Sequence, residues 1–533
     1  MAISTESIEL SEAPQHGENP EKLQQALVGI AGDTTILQSQ EAKPQTEPEP
    51  DEALYPQGIQ FVLISLSLCF CVFLVGLLSQ GKLYDNYPVK WVFLVNILLF
   101  EGGILLSGLA PSSLIFIIGR AITGLGFSGI SQGCMVIIAI STPLRRRPTF
   151  VGLISASEYT AIAIAPILGG ILTSDISWRW CFYINLPAAA LPSAVLLLLK
   201  LPTIHPRGSK THIQKLRELD LLGFFLFAPA VLCLLLALQW GGDTYSWTNG
   251  RFIALLVLSP IIFTGFCLLQ HCKQDTAMLP PRVLRKRIII TGAAFSLCLS
   301  ACRAIVQYYL SIWFQTVRNA TPLQSGLNTL PLVISVLISA IAGGWLISRT
   351  RTYTPILLPA SLLVIAGIAI MTTFTPTTPA KLWIPSLILL GLGSGSAVGV
   401  PFIAVQAILP MKDISIGMAL MTFSQDIGEA VFISVAQAIF LNRLTEDLAK
   451  SVPGLDPVMV THLGATSLQG KLPGKYLEAV VGAYDFAVRG TFLLAVALAG
   501  SVFVAAVLVK RNPFRVENEL GEEVREDGST RDV

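Results

Sequence analysis

The chain has 533 residues, 13% charged and 53% hydrophobic, with a net charge of +2; soluble domains carry about 25% charge. Residues 1–57 hold 11 acids and 2 lysines and residues 510–533 hold 12 charges, which leaves 45 for the 452 residues between. So few charges cannot cover a water-facing surface, which excludes a soluble enzyme, a nucleic-acid binder and a disulfide-rich secreted scaffold and points to an integral membrane protein with polar tails.

Residues 1–57 are acidic, bear Pro and Gln, and lack a basic n-region with an apolar run behind it. They read as a disordered tail rather than a signal peptide. A bilayer core about 30 Å thick needs about 20 apolar residues in a helix. Such runs occur near 59–79, 91–109, 114–140, 149–172, 180–199, 218–239, 252–270, 288–314, 326–347, 354–374, 382–409, 414–440 and 488–509, thirteen in all. They are helices, because isolated strands leave backbone groups unsatisfied in lipid. The eight tryptophans, Trp91 to Trp383, fall at or beside the ends of these runs, as an interfacial aromatic belt does. The nine cysteines sit mostly inside apolar runs with no zinc-like spacing and read as small core residues.

Lys and Arg recur in every second connection. Lys82 and Lys90, Arg145 to Arg147, Lys200 to Arg217, Lys273 to Arg287, and Arg349 with Arg351 alternate with weakly basic loops. The basic side is expected to be cytoplasmic, together with the tail from Lys510, and residues 441–487 are expected to form an outer loop. Asn319-Ala320-Thr321 is a glycosylation acceptor on that outer side, although Pro322 and the nearby membrane act against its modification. One parity conflict emerges. A single span before Lys82 puts the N-terminus outside, opposite the C-terminal tail.

Three stretches carry recognisable motifs. The first is Gly81-Lys82-Leu83-Tyr84-Asp85-Asn86-Tyr87-Pro88-Val89-Lys90, in which Asp85 and Lys90 can form a charge latch. The second is Gly119-Arg120-Ala121-Ile122-Thr123-Gly124-Leu125-Gly126, an arginine in an apolar run followed by a small-residue face. The third runs from Gly152 through Glu158 to Pro166, Gly169 and Gly170, where the proline removes a helical hydrogen bond. The first can also be read as a basic inter-helix loop, the second as a packing helix with a paired arginine, and the third as a kinked packing helix. Together they resemble the major facilitator superfamily: its loop between helices two and three, its fourth-helix arginine linked to proton coupling, and its fifth-helix antiporter motif. Ser177 to Pro187, Leu238 to Gly242 and Tyr308 to Gln315 are similar to the fourteen-span drug:proton antiporter branch, and within it to fungal toxin-efflux pumps. Pro88 and Ala165 stand where that family has glycine.

The resemblance implies an all-α polytopic fold of two six-helix bundles joined by two linker helices. On it the chain divides into a tail (1–57), an N-terminal bundle (58–200), a linker with two spans (201–287), a C-terminal bundle (288–509, including loop 441–487) and a polar tail (510–533). In that branch a complete second span precedes the Gly81 block. Here Phe73 runs directly into Gly81, so one helix plus loop is expected to be missing, through a skipped exon or degeneration.

Charged residues inside apolar runs are functional candidates. They are Glu101, Arg120, Glu158, Arg303, Asp426 and Glu429, with Gln307 on the face of Arg303 by helical spacing. They read either as proton or substrate groups or as structural ion pairs. No G-x-x-x-x-G-K-[ST], H-E-x-x-H or G-x-S-x-G context occurs, so no enzyme activity, metal or cofactor is expected. The expected function is proton-coupled export of small organic molecules by a monomer, in the plasma membrane or else a vacuolar or vesicle membrane. The rivals are an importer, for example of siderophores, and a disabled relic.

Overall fold

The structure, a computed structural model, describes residues 80–143, 145–198, 220–240, 248–274, 277–451 and 474–509. Among these residues there is no strand. The helices, in chain order, are α1 (Val89–Gly108), α2 (Ser113–Ser141), α3 (Arg147–Asp175), α4 (Trp180–Tyr183), α5 (Asn185–Leu198), α6 (Leu221–Trp240), α7 (Gly250–Lys273) and α8 (Pro281–Leu284). They continue as α9 (Arg287–Thr316), α10 (Pro322–Asn328), α11 (Leu330–Thr350), α12 (Thr354–Met371), α13 (Ala380–Val398), α14 (Val400–Ile408), α15 (Met411–Ser451) and α16 (Gly474–Leu508). A further helical stretch, 80–86, precedes α1. Twelve of the thirteen apolar runs fall on these helices; the run 59–79 lies outside the described residues. Among the described residues, ten helical segments are long and apolar enough to cross a bilayer, and the apolar stretch Leu222–Leu238 is shorter.

Local chemistry sets several ends. The Ser112 side chain accepts from Ile115 N at the start of α2, and Asn249 accepts from Arg251 N at 2.9 Å at the start of α7. Thr321 and Gln324 form a capping box on α10. The run 382–409 divides at Gly399, just ahead of Pro401 near the start of α14.

The expected outer loop 441–487 is shorter than hydropathy suggests. Helix α15 continues to Ser451 and α16 begins at Gly474. Leu444 and Leu448, one turn apart, are buried, while Glu446 and Lys450 pair at 2.6 Å on the wet face. This is amphipathic helix, whose charges lower mean hydropathy without breaking the 3.6-residue period.

Small residues bring helices together where side-chain volume would separate them. A Cβ on Gly103 of α1 would strike Thr123 on α2, and one on Gly393 of α13 would strike Ala360 O on α12. The main core lies among α9, α11 to α13, α15 and α16, around Trp313, Tyr309, Phe314, Tyr353, Phe374 and Phe492. Trp313 and Phe374 meet at 5.2 Å between ring centroids. Large apolar side chains face outward on many helices, including Leu98, Leu198, Phe225 and Ile338. That is the surface a lipid-embedded chain presents. Helices α6 and α7 pair through Phe227 and Phe266 at 4.9 Å and through Ser259 Oγ donating to Ala230 O at 2.8 Å. Phe227 also meets Phe423 of α15 at 5.3 Å.

Candidate functional site: a charged cluster beside a cavity

The site is built where α9 crosses α15. Gly428 lies against Leu297 O with no room for a Cβ, and Ser300 Oγ donates to Gln425 O at 2.7 Å. This close crossing brings Arg303 Nη2 to Glu429 Oε1 at 2.5 Å. One turn earlier on α15, Asp426 Oδ2 is buried without a hydrogen-bond partner among the described residues. Helix α3 approaches from the other half of the molecule. It sets the Tyr159 ring 5.3 Å from the Arg303 guanidinium, and Glu158 lies within electrostatic range of Arg303, Asp426 and Glu429. Three carboxylates thus surround one guanidinium. With all of them ionised, two negative charges stay uncompensated in a site of low polarity. Binding a proton at one of these carboxylates would relieve part of that repulsion.

A cavity of about 240 Å³ adjoins the cluster. Arg303, Gln307, Ser311 and Gln315 line one wall from α9, each four residues after the last. Helix α11 supplies an apolar wall through Leu332, Val333 and Val336, and Tyr159 closes one end. Ser325 and Thr329 line it near α10, which follows the Asn319 loop. The cavity therefore runs from Arg303 toward the weakly basic loops.

At the opposite, basic-loop end the two halves touch. Gln132 Nε2 of α2 donates to Ser415 O of α15 at 2.6 Å. Thr149 and Ser348 hydroxyls lie 2.9 Å apart, Gly152 abuts Ala340 O, and Gly344 abuts Pro148 O. Arg282 Nη2 donates to Asp413 Oδ1 at 2.9 Å. Asp85 hydrogen-bonds Ser415 in the same layer. Asp85 belongs to the connection 81–90, outside the spans, and burial pushes its carboxyl up to about 7. Asp413 adds to that rise; the Ser415 hydrogen bond and Lys82 oppose it.

The structure thus gathers Glu158, Arg303, Gln307, Asp426 and Glu429. It does not bring Glu101 or Arg120 to them. Both Glu101 carboxylate oxygens are buried on α1 without a hydrogen-bond partner among the described residues. Arg120 on α2 stacks over Phe182 at 5.9 Å. Among the motif residues, Gly81 packs against Ser415 and Lys90 Nζ donates to Leu197 O at 2.8 Å. Pro166, Gly169 and Gly170 lie within α3. A Cβ on Gly169 would enter open space, so the close approach on that helix is at Gly152. Asn319 is exposed with φ 52°, and the Thr321 hydroxyl of its acceptor triplet is engaged in the α10 cap. Sequence reasoning missed Tyr159, Gln132, Ser415 and the Arg282–Asp413 pair. The signal for Tyr159 was its place beside Glu158; Gln132 and Ser415 carry none, because each is an uncharged polar residue whose partner lies far away in the chain.

Comparisons with known proteins agree with this architecture. The family model described as Major Facilitator Superfamily matches residues 53–433. The "MFS-type efflux pump MFS1" of Arthroderma benhamiae is 40% identical over 444 residues, covering 83% of this chain and 82% of its own. The "Efflux pump aflT" of Aspergillus parasiticus is 39% identical over 442 residues, covering 82% of this chain and 86% of its own. The proton:xylose symporter XylE shares the fold at TM-score 0.52 with 14% identity, over 85% of this chain and 86% of that one. The human organic anion transporter MFSD10 does so at TM-score 0.50 with 15% identity, over 82% and 83%. A matched family model over most of the length, and relatives near 40% identity, make this multi-pass membrane chain a member of the Major Facilitator Superfamily.

Proposed function

We propose that the chain exports small organic molecules in exchange for protons, by alternating access around the Arg303 cluster. The observation that carries this is the meeting of Glu158, Arg303, Asp426 and Glu429, drawn from both halves, at the wall of a cavity sealed toward the basic loops. Relatives named efflux pumps support the direction of transport. The basic loops would lie in the cytoplasm, so the sealed state is the outward-open one. A cytoplasmic substrate enters when that seal opens, and a proton taken by the cluster resets the cycle. The bundles would be 58–200 and 288–509, joined by the linker 201–287, acting as a monomer in the plasma membrane.

The test is proton-driven transport by purified protein in proteoliposomes. Glu429→Gln and Asp426→Asn fix one carboxyl each at zero charge. Either should cut gradient-driven transport at least about tenfold, equivalent to about 1.4 kcal/mol in a barrier, while substrate exchange without a gradient survives. Glu158→Gln belongs to the same set, and Glu101→Gln, away from the cluster, should do less. Normal rates with unchanged pH dependence in all four variants would defeat the coupling scheme.

A further inference from the structure

Most polar groups on the cavity wall already have partners. The Ser311 hydroxyl donates to Gln307 O at 3.0 Å, Ser325 to Ser311 O at 3.3 Å and Thr329 to Gly326 O at 2.7 Å. Arg303, at the inner end, is paired with Glu429, and Asp426 and Glu158 lie within electrostatic range of it. The carboxamides of Gln307 and Gln315 are different: they line the cavity and have no hydrogen-bond partner among the described residues. They share one face of α9, two turns apart, about 12 Å at 1.5 Å per residue. The apolar wall comes from Leu332, Val333 and Val336 of α11. These features limit the occupant. An amide shut away from water is costly to leave unpaired, so a ligand that fills the cavity has to meet both carboxamides. The carboxylates around Arg303 repel an anion and the guanidinium repels a cation, while the rest of the wall is uncharged. The volume of about 240 Å³ is just below the usual range for drug-sized ligands, about 300–1,000 Å³.

We propose that this cavity takes compact, uncharged, flat molecules with a hydrogen-bonding oxygen at each end of the skeleton, and that Gln307 and Gln315 select them. The inference rests on the export reading and names its substrate class. The apolar wall covers the ring faces, and each carboxamide N–H donates to one terminal oxygen. Arg303 keeps Glu429 as its partner while the substrate is bound, in the charge-assisted pair that the structure shows. The substrate therefore occupies groups separate from the proton site and carries no proton out with it. The cluster stands at the inner end of the cavity, so a molecule filling the cavity lies between it and the weakly basic loops. Outer protons reach the cluster after the substrate has left, which sets the order of the exchange. The substrate leaves neutral, so each proton that enters moves one positive charge inward.

The experiment uses the full chain in proteoliposomes with four probes on one ring system: naphthalene-2,6-dicarboxamide, 2-naphthamide, naphthalene-2,6-dicarboxylate and trimethyl(2-naphthyl)ammonium. Binding is read from the probes' fluorescence at neutral pH. The diamide should bind at least about tenfold tighter than the monoamide and than either charged probe. Gln307→Leu and Gln315→Leu should each bring the diamide down to the level of the monoamide. Each should leave the monoamide within about twofold of its native affinity, because the other carboxamide still serves it. That retained binding shows that the leucine variants fold. Equal binding of diamide and monoamide by the native protein, tighter binding of either charged probe, or leucine variants that keep the native preference overturns the proposal. If a proton gradient drives export of the monoamide or of a charged probe as fast as the diamide, the substrate class fails and export stands. If the diamide is preferred but a gradient drives export of no probe, the site stands and the export reading fails.

Discussion

Asp485 is 2% exposed and serves two partners. Trp313 Nε1 donates to its Oδ1 at 2.9 Å, and Arg489 Nε reaches its Oδ2 at 3.1 Å. Asp485→Ala orphans a buried indole N–H and an arginine that is 37% exposed. The indole dominates, because water can still solvate the arginine, and the loss should be about 1–3 kcal/mol. Asp485→Asn keeps an acceptor for Trp313 and should lose about half as much or less. Thermal unfolding of detergent-purified protein measures both. An alanine variant as stable as the native chain would mean that Trp313 and Arg489 find other partners. The same residue shows what sequence can reveal. Arg303 and Glu429 are conspicuous because charge inside an apolar run is costly. Asp485 sits three residues before the last apolar run begins, so it passed for a loop residue. Tyr159, uncharged and next to Glu158, draws no notice in the sequence, yet it is the aromatic face set against Arg303.

The stretch 80–86 docks on the first turn of α15 through Gly81 and Asp85, against Ser415. The Asp85 carboxyl titrates at about 7 when docked and near 3.8 in open solvent, burial being the main cause. The docked state therefore binds the proton more tightly. Its proton-linked stabilisation is fully present below about 3.8 and is lost as pH rises through about 7. Arg282, paired with Asp413 at the same layer, leaves that acid beside Asp85 as a like charge. Spin labels at Pro88→Cys and Arg285→Cys, with the native cysteines replaced, report docking as an interspin distance. The short-distance population should grow from pH 8 to pH 6, and Asp85→Asn should flatten that trend. A population that grows with rising pH would reverse the sign and refute the argument. At this scale the sequence was legible wherever an element is uniformly apolar, since α1 to α3 and α9 to α13 follow the hydropathy runs closely. It was less so where helices leave the apolar layer. The outer parts of α15 and α16 are amphipathic, so a composition window sees a loop and only periodicity sees a helix.

The two halves are unequal. The C-terminal half holds six spans: α9, α10 with α11, α12, α13 with α14, α15 and α16. The N-terminal half has three of the ten bilayer-crossing segments, α1, α2 and α4 with α5, and the 29-residue α3 is a fourth by length, to which the apolar run 59–79 adds a fifth. Pseudo-symmetry asks for a sixth. The last helices of the two halves make the deficit visible. In α16, 44% of the apolar window is buried, whereas no residue of Trp180–Leu198 is buried at all. Leu191 is 72% exposed and Leu198 85%. Among the described residues, no neighbour covers that face. Charge parity leads to the same place. With thirteen spans the tails lie on opposite sides, although the basic connections beginning with Lys82 and Lys90 put the C-terminal tail and the Gly81 connection together on one side. One more span between Phe73 and Gly81 removes both anomalies, because it adds a helix to the thinner bundle and makes the count even. Full-length transcripts should therefore contain an in-frame segment of about 25–45 codons at that point, the length of one span and its loop. The longer protein should place epitope tags at both ends on the cytoplasmic face of sealed vesicles, and residues 180–198 should gain protection from an apolar photolabel. If every transcript matches the present chain and that chain transports at full rate, the N-terminal half works with five spans and the symmetry argument fails.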